Sequence, residues 1–155
     1  MAQATAICTC KYCGREFIRI KDCYNRKDAD EWEAWAVDHI NACNECNKKR
    51  RAEKYARENV VAAQESNSLG LPELTGSEKQ IAWATTIRMK FIHQINLRKE
   101  TVEKKLNEPE SVDRAKRMLQ AMESDVAILL SRTESAWWIE NRDYKLKDVI
   151  RISKM

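Results

Sequence analysis

Six cysteines stand at positions 8, 10, 13, 23, 43 and 46, and none follows. Four of them form two C-x-x-C pairs, Cys10/Cys13 and Cys43/Cys46, with twenty-nine residues between the pairs. Thiolates are soft ligands, and zinc prefers a tetrahedral set of four. Two intervening residues let both sulfurs of a pair reach one ion, so the spacing predicts a single structural Zn2+ on Cys10, Cys13, Cys43 and Cys46. Gly14, next to Cys13, supplies the backbone freedom a tight knuckle needs. Redox use of either pair would call for a βαβ pattern around it, and neither has one. Cys8 and Cys23 read as small apolar residues. Cys8 stands one residue from Cys10 and could also reach the metal; His39, four residues before Cys43, is a second substitute candidate.

Four thiolates would leave no coordination position for water, so the expected ion is architectural and the chain is not expected to be an enzyme. No Gly-rich phosphate loop or G-x-S-x-G elbow is present, and the two histidines, His39 and His93, lack catalytic partners in sequence. The longest purely apolar run is five residues, 126–130, well short of the roughly 20 that span a membrane. No basic segment followed by a long apolar run opens the sequence. The expectation is therefore a reducing compartment, the cytoplasm, with no membrane association.

Elements must hold the cysteines in place. Residues 15–20 alternate and are rich in β-branched and aromatic types, which predicts a strand after the first knuckle. Asp28 to Glu31 looks like a capping box, followed by Trp32, Trp35, Ala36, His39 and Ile40 on one helical face. The second knuckle runs into a long helical pattern with an expected stripe at Ala52, Tyr55, Ala56, Val60 and Ala63. That places Cys43 and Cys46 at a helix N-terminus, where the dipole favours thiolates.

Residues 66–77 hold two of the three glycines and one of the two prolines, and read as a boundary. Beyond it, Ser77 and Gln80 form a capping box. Ile81, Ala84, Ile87, Phe91, Ile95, Val102 and Leu106 then keep one face apolar. Pro109 is expected in the first turn of the next helix. Ala115, Leu119, Met122, Val126, Leu129 and Thr133 repeat at steps of four and three, a coiled-coil seam. Two such helices form an antiparallel hairpin, with Trp83 opposite Arg132 and Trp137 and Trp138 near Ser77. The tryptophans either plug the open end of the hairpin or anchor a partner. The seam would equally serve a homodimer. The last dozen residues fit a frayed end, a strand or a helix.

The expected architecture is thus mainly α, with a small zinc-binding β-hairpin module. It has a zinc head over 1–66, a linker over 67–76, and a helical hairpin with its tail over 77–155. Net charge is +4: residues 1–70 carry 12 basic and 11 acidic groups, and residues 71–155 carry 16 and 13. The charge is dispersed, and only Lys48, Lys49, Arg50 and Arg51 cluster. That cluster is either a solvated helix face or a contact for nucleic acid.

The head resembles the treble-clef and zinc-ribbon group of zinc fingers, with a knuckle and hairpin followed by a knuckle that opens a helix. The segment LPELTGSEKQIAWATTIR, together with SAWWIENRD and the knuckle Cys10-x-x-Cys13-Gly14, resembles a pattern in small proteins of bacterial phages and mobile elements. That resemblance implies a binding protein, of the kind that includes anti-CRISPR and other anti-defence inhibitors. Its partner would be a bacterial host protein such as a CRISPR effector nuclease. The alternative function is direct binding of DNA or RNA through the basic cluster.

Overall fold

The computed structural model describes all 155 residues. Strands β1 (Ala2–Thr9) and β2 (Glu16–Cys23) form an antiparallel hairpin, with Cys8 opposite Phe17 and Ala4 opposite Lys21. Six helices follow: α1 (Arg26–His39), α2 (Asn44–Ser68), α3 (Glu78–Glu103), α4 (Val112–Leu130), α5 (Ser135–Glu140) and α6 (Leu146–Ser153). A 3-10 turn, Lys104–Asn107, extends α3. The architecture is mainly helical with one two-stranded sheet. The chain divides into two compact units, 1–56 and 57–155.

In the first unit α1 packs on one face of the hairpin. The contact is made of small side chains: Ala4, Ala6 and Cys8 from β1 against Ala29 and Ala36 from α1, all buried. Small residues let helix and sheet backbones approach closely, and Trp32 fills the space beside them. The inward stripe of α1 is therefore Ala29 and Ala36, both buried, with Trp32 and the C-cap Ile40 half-buried beside them. Trp35, expected in the core, falls off that stripe; it is 50% exposed and stacks flat on His39 at 4.8 Å. The expected capping box at Asp28 is displaced as well. Asn25 is the N-cap, its side chain accepting from the Asp28 amide at 2.9 Å, because an Asn three residues earlier can satisfy that donor first.

The stripe expected along α2 is not buried. Ala52, Tyr55, Ala56, Val60 and Ala63 are all exposed, and the helix instead buries Ala62 and Ser66. Ala62 packs on Met89 and Ile92 of α3, and Asn59 accepts from the Thr86 hydroxyl at 2.7 Å.

The second unit is built around α3, whose predicted face is buried from Ala84 through Val102. Its core joins Leu74, Ile87, Phe91, Ile95, Leu129, Trp138, Leu146 and Val149. The Ser77–Gln80 capping box is present: the Gln80 amide donates to Ser77 Oγ at 3.4 Å and the Ser77 amide to Gln80 Oε1 at 3.0 Å. Ser77→Ala should therefore lower stability by about 1 kcal/mol. In a unit of this size that is a Tm loss of about 4–8 °C, readable by thermal circular dichroism.

Three expectations change here. Residues 67–76 are not a free linker, and the division between units falls earlier, inside α2. Leu74 is buried in the main core, and Thr75 exchanges backbone bonds with Thr133 and Ser135 at 2.8 and 3.0 Å. Arg88, 2% exposed, donates to the Pro72 carbonyl and to Ser66 Oγ, both at 2.7 Å, which ties the segment to α3. Gly76, at φ +144°, lies so close to Ser135 that an added Cβ would come within 3.1 Å of that side chain. Second, Pro109 lies in the turn before α4 and not in its first helical turn, since the 3-10 segment uses up the chain that would have started the helix earlier. Third, the two arms of the hairpin form and pack together, but the second stops short of the tryptophans. α4 ends at Leu130, then α5 packs on α3 and α6 folds back against α4.

Trp138 plugs the main core, and Ser135, which opens the helix carrying Trp137 and Trp138, lies against Gly76, the residue before Ser77. Trp138 is wholly buried, packs 6.2 Å from Phe91 and donates its indole N–H to the Arg132 carbonyl at 2.9 Å. Trp137 meets it edge-on at 5.2 Å and carries Arg132 over its ring. Trp83 lies under Arg142, 5.3 Å from the guanidinium carbon to the ring centre, and the chain turns at Ser131–Glu134 before the helical pattern resumes.

Candidate metal centre

The first knuckle is the turn of the β-hairpin. Cys10 follows β1 directly, its amide donating to the Arg15 carbonyl at 2.9 Å, and the Gly14 amide returns to the Cys10 carbonyl at 2.8 Å. That closure needs the left-handed backbone at Gly14, φ +70°. The second knuckle opens α2. Cys43 immediately precedes the helix, Cys46 lies in its first turn, and the Asn47 amide donates to the Cys43 carbonyl at 2.9 Å. The Lys11 amide donates to the Asn41 carbonyl at 3.0 Å, which fastens one knuckle to the other.

These elements bring the sulfurs of Cys10, Cys13, Cys43 and Cys46 within 4.8 Å of one another, and all four cysteines are unbridged. Cys13 Sγ and Cys43 Sγ are 3.9 Å apart. A tetrahedron with arms of about 2.3 Å, the usual zinc–sulfur distance, has edges of about 3.8 Å. The donor set and its dimensions fit one four-coordinate metal ion. The other sequence candidates lie elsewhere. Cys8 is buried against α1 with its thiol directed to the Ala36 carbonyl at 3.5 Å. Cys23 sits at the far end of β2, and His39 is exposed and bonded to the Trp35 carbonyl.

The electrostatics favour the thiolate at Cys10 and oppose it at Cys46. The Cys43 amide, helped by those of Tyr12 and Cys13, holds the Cys10 thiol down to about 6 against its burial. Cys46 is pushed up to about 12 by its hydrogen bond with Cys43, by burial and by the crowding of the other sulfurs. Four thiolates this close repel one another, and a divalent cation removes that repulsion. Arg15 contributes from outside: its guanidinium, bonded to Cys13 and at 2.8 Å from Glu45, is held more firmly charged than usual.

Two contacts around the centre were not legible from spacing. Arg15–Glu45 joins the first knuckle to the first turn of α2, and Arg50 lies 4.3 Å over the Tyr12 ring. An aromatic inside C-x-x-C with an arginine one helical turn past the second pair was the only hint in the sequence. Lys48, Lys49, Arg50 and Arg51 are all exposed on α2. Lys48 and Arg51, with Arg19, Asn44, Asn47 and Tyr55, line a shallow concavity of about 460 Å³.

Comparison of the chain with family models, curated proteins and solved structures finds no match.

Proposed function

We propose that this chain is a non-catalytic, zinc-braced binding protein that blocks a bacterial protein machine, a CRISPR effector nuclease being the kind of target its sequence resemblance suggests. The observation that carries the non-catalytic part is the closed donor set. Four cysteine sulfurs within 4.8 Å of one another would fill the tetrahedral sphere of a bound zinc ion and leave neither water nor substrate a place on it. All-sulfur tetrahedral ligation is the chemistry of structural zinc. One knuckle on a hairpin and one on a helix start resembles the arrangement of treble-clef fingers, which supports a bracing role for the ion. Dispersed charge also suits a protein partner better than a polyanion.

The test is affinity capture from bacterial lysate with the intact chain and with Cys10→Ser as control. Enrichment of one host protein assembly by the intact chain alone, with loss of that assembly's activity when pure chain is added, would support this reading. Capture without inhibition would leave a binder of another kind.

One observation favours nucleic acid as a second reading. Lys48, Arg51 and Arg19 converge with Asn44 and Asn47 on one concavity beside the second knuckle. Reversing Lys48, Lys49, Arg50 and Arg51 to glutamate should spare the fold, because all four are exposed. The loss is the Arg50–Tyr12 contact, about 0.5–1 kcal/mol. Thermal melting checks this, and aggregation of the variant would give the cluster a structural role. If duplex DNA is the ligand, binding falls steeply on a log–log salt plot and the reversal abolishes it.

A further inference from the structure

The second unit carries an open groove of about 610 Å³ between α3, α4 and α6. Its floor is Met118, Met122 and Val126 of α4, flanked by Ile95 and Val102 of α3 and Ile150 of α6. Met118 is 40% exposed although it continues the stripe that α4 buries. The core is thus open along this side. Methionine side chains are flexible and polarizable, and suit a surface that moulds to a guest.

The rim is cationic. Arg98 and Lys105 stand seven residues apart on the α3 side, and Lys147 and Arg151 of α6 and Lys154 at its C-cap follow at steps of four and three. Each row spans two helical turns, about 10 Å, and the α4 floor spans about 12 Å. Asp125 is the single acidic residue of the lining and is held by Lys154 at 2.6 Å. Asp148 takes Arg151 at 3.6 Å. Arg98, Lys105 and Lys147 hold no ion pair.

We propose that this groove receives a two- to three-turn amphipathic helix from a protein partner, with an apolar stripe flanked on both sides by acidic residues. The proposal deepens the protein-binding reading above and rests on it. The match is geometric and electrostatic. Apolar anchors at i, i+3 or i+4, and i+7 of such a helix cover the length of the floor. Carboxylates on both flanks meet the two cationic rows. A nucleic-acid backbone would meet the cations but gain nothing from the methionines.

The test uses two labelled peptides of about sixteen residues with the same leucine stripe, one flanked by glutamates and one by lysines. Fluorescence polarisation against the full chain should show the acidic peptide binding at least tenfold tighter, with affinity falling at high salt. Arg98→Glu with Lys147→Glu should reverse the preference. Met118→Glu, at an exposed floor position, should weaken both peptides at least tenfold while the circular dichroism spectrum stays unchanged. Equal binding of the two peptides, or none, would overturn the proposal. So would binding only to phosphatidylglycerol vesicles, which would make the groove a lipid surface. Self-association abolished by Met118→Glu would make the occupant a second copy and would also overturn it. Because these peptides probe the groove alone, their failure beside successful host capture would refute this site and leave the binding-protein reading standing.

Discussion

Replacing Cys10 with serine is expected to unfold residues 1–56 while the second unit stays helical. The first unit's own core is thin. Its buried side chains are mostly alanine and cysteine, and Trp32 is the one large residue that packs against both of its small clusters. Such a core releases too little apolar area to outweigh the ordering of over fifty residues. A structural zinc ion supplies about 10–16 kcal/mol of binding free energy at neutral pH, and that binding is folding free energy. Losing one thiolate also breaks the set to which the hairpin turn and the start of α2 are both attached. Far-UV circular dichroism should therefore lose the signal of α1 and the first half of α2 and keep that of α3 to α6. Chelation of the wild-type chain should do the same. Acidification should too, since the ligands must be deprotonated and affinity falls as pH falls. Loss of nearly all helix on Cys10→Ser would show instead that the two units fold as one.

Trp138→Ala should have the largest effect in the second unit, about 3–5 kcal/mol. Its ring is fully buried among Phe91, Trp137 and the core of α3, and its N–H satisfies the Arg132 carbonyl just beyond α4. Truncation leaves a cavity and an unsatisfied carbonyl together, and the surrounding helices relax only partly. The melting midpoint of the second unit should fall by about 15–30 °C. Trp83→Ala should lower it far less, because that ring is 47% exposed under Arg142. A Trp138→Ala loss no larger than that of Trp83→Ala would mean the plug does not hold the unit together.

The metal centre was legible in the sequence because its signal is local and chemical. C-x-x-C spacing states which sulfurs can share an ion, whatever packs around them. The Ser77 capping box and the face of α3 were legible for a similar reason, each resting on neighbours within a few residues. Structure and sequence pattern part where partners come from far along the chain. Trp35 has the right spacing for a buried face, but β1 presents only small side chains and seats Ala36 in its place. Residues 67–76 have the composition of a linker, yet Arg88 and Thr133 capture them. The expected α2 stripe rests on period alone, and period does not say that a partner exists on that side. The groove could not be read at all. α6 shows cations at 147, 151 and 154 beside apolar residues at 146, 149 and 150, but only the fold brings that row next to Arg98 and Lys105.

The most direct test of the account is the metal content and ligand field of the chain purified without chelator. Elemental analysis should find one zinc per chain. Cobalt substitution should give the intense visible bands and thiolate charge-transfer absorption of a tetrahedral four-sulfur site, lost in Cys46→Ser. Metal-free protein that is nonetheless folded over residues 1–56, or an ion carrying an exchangeable water, would contradict it.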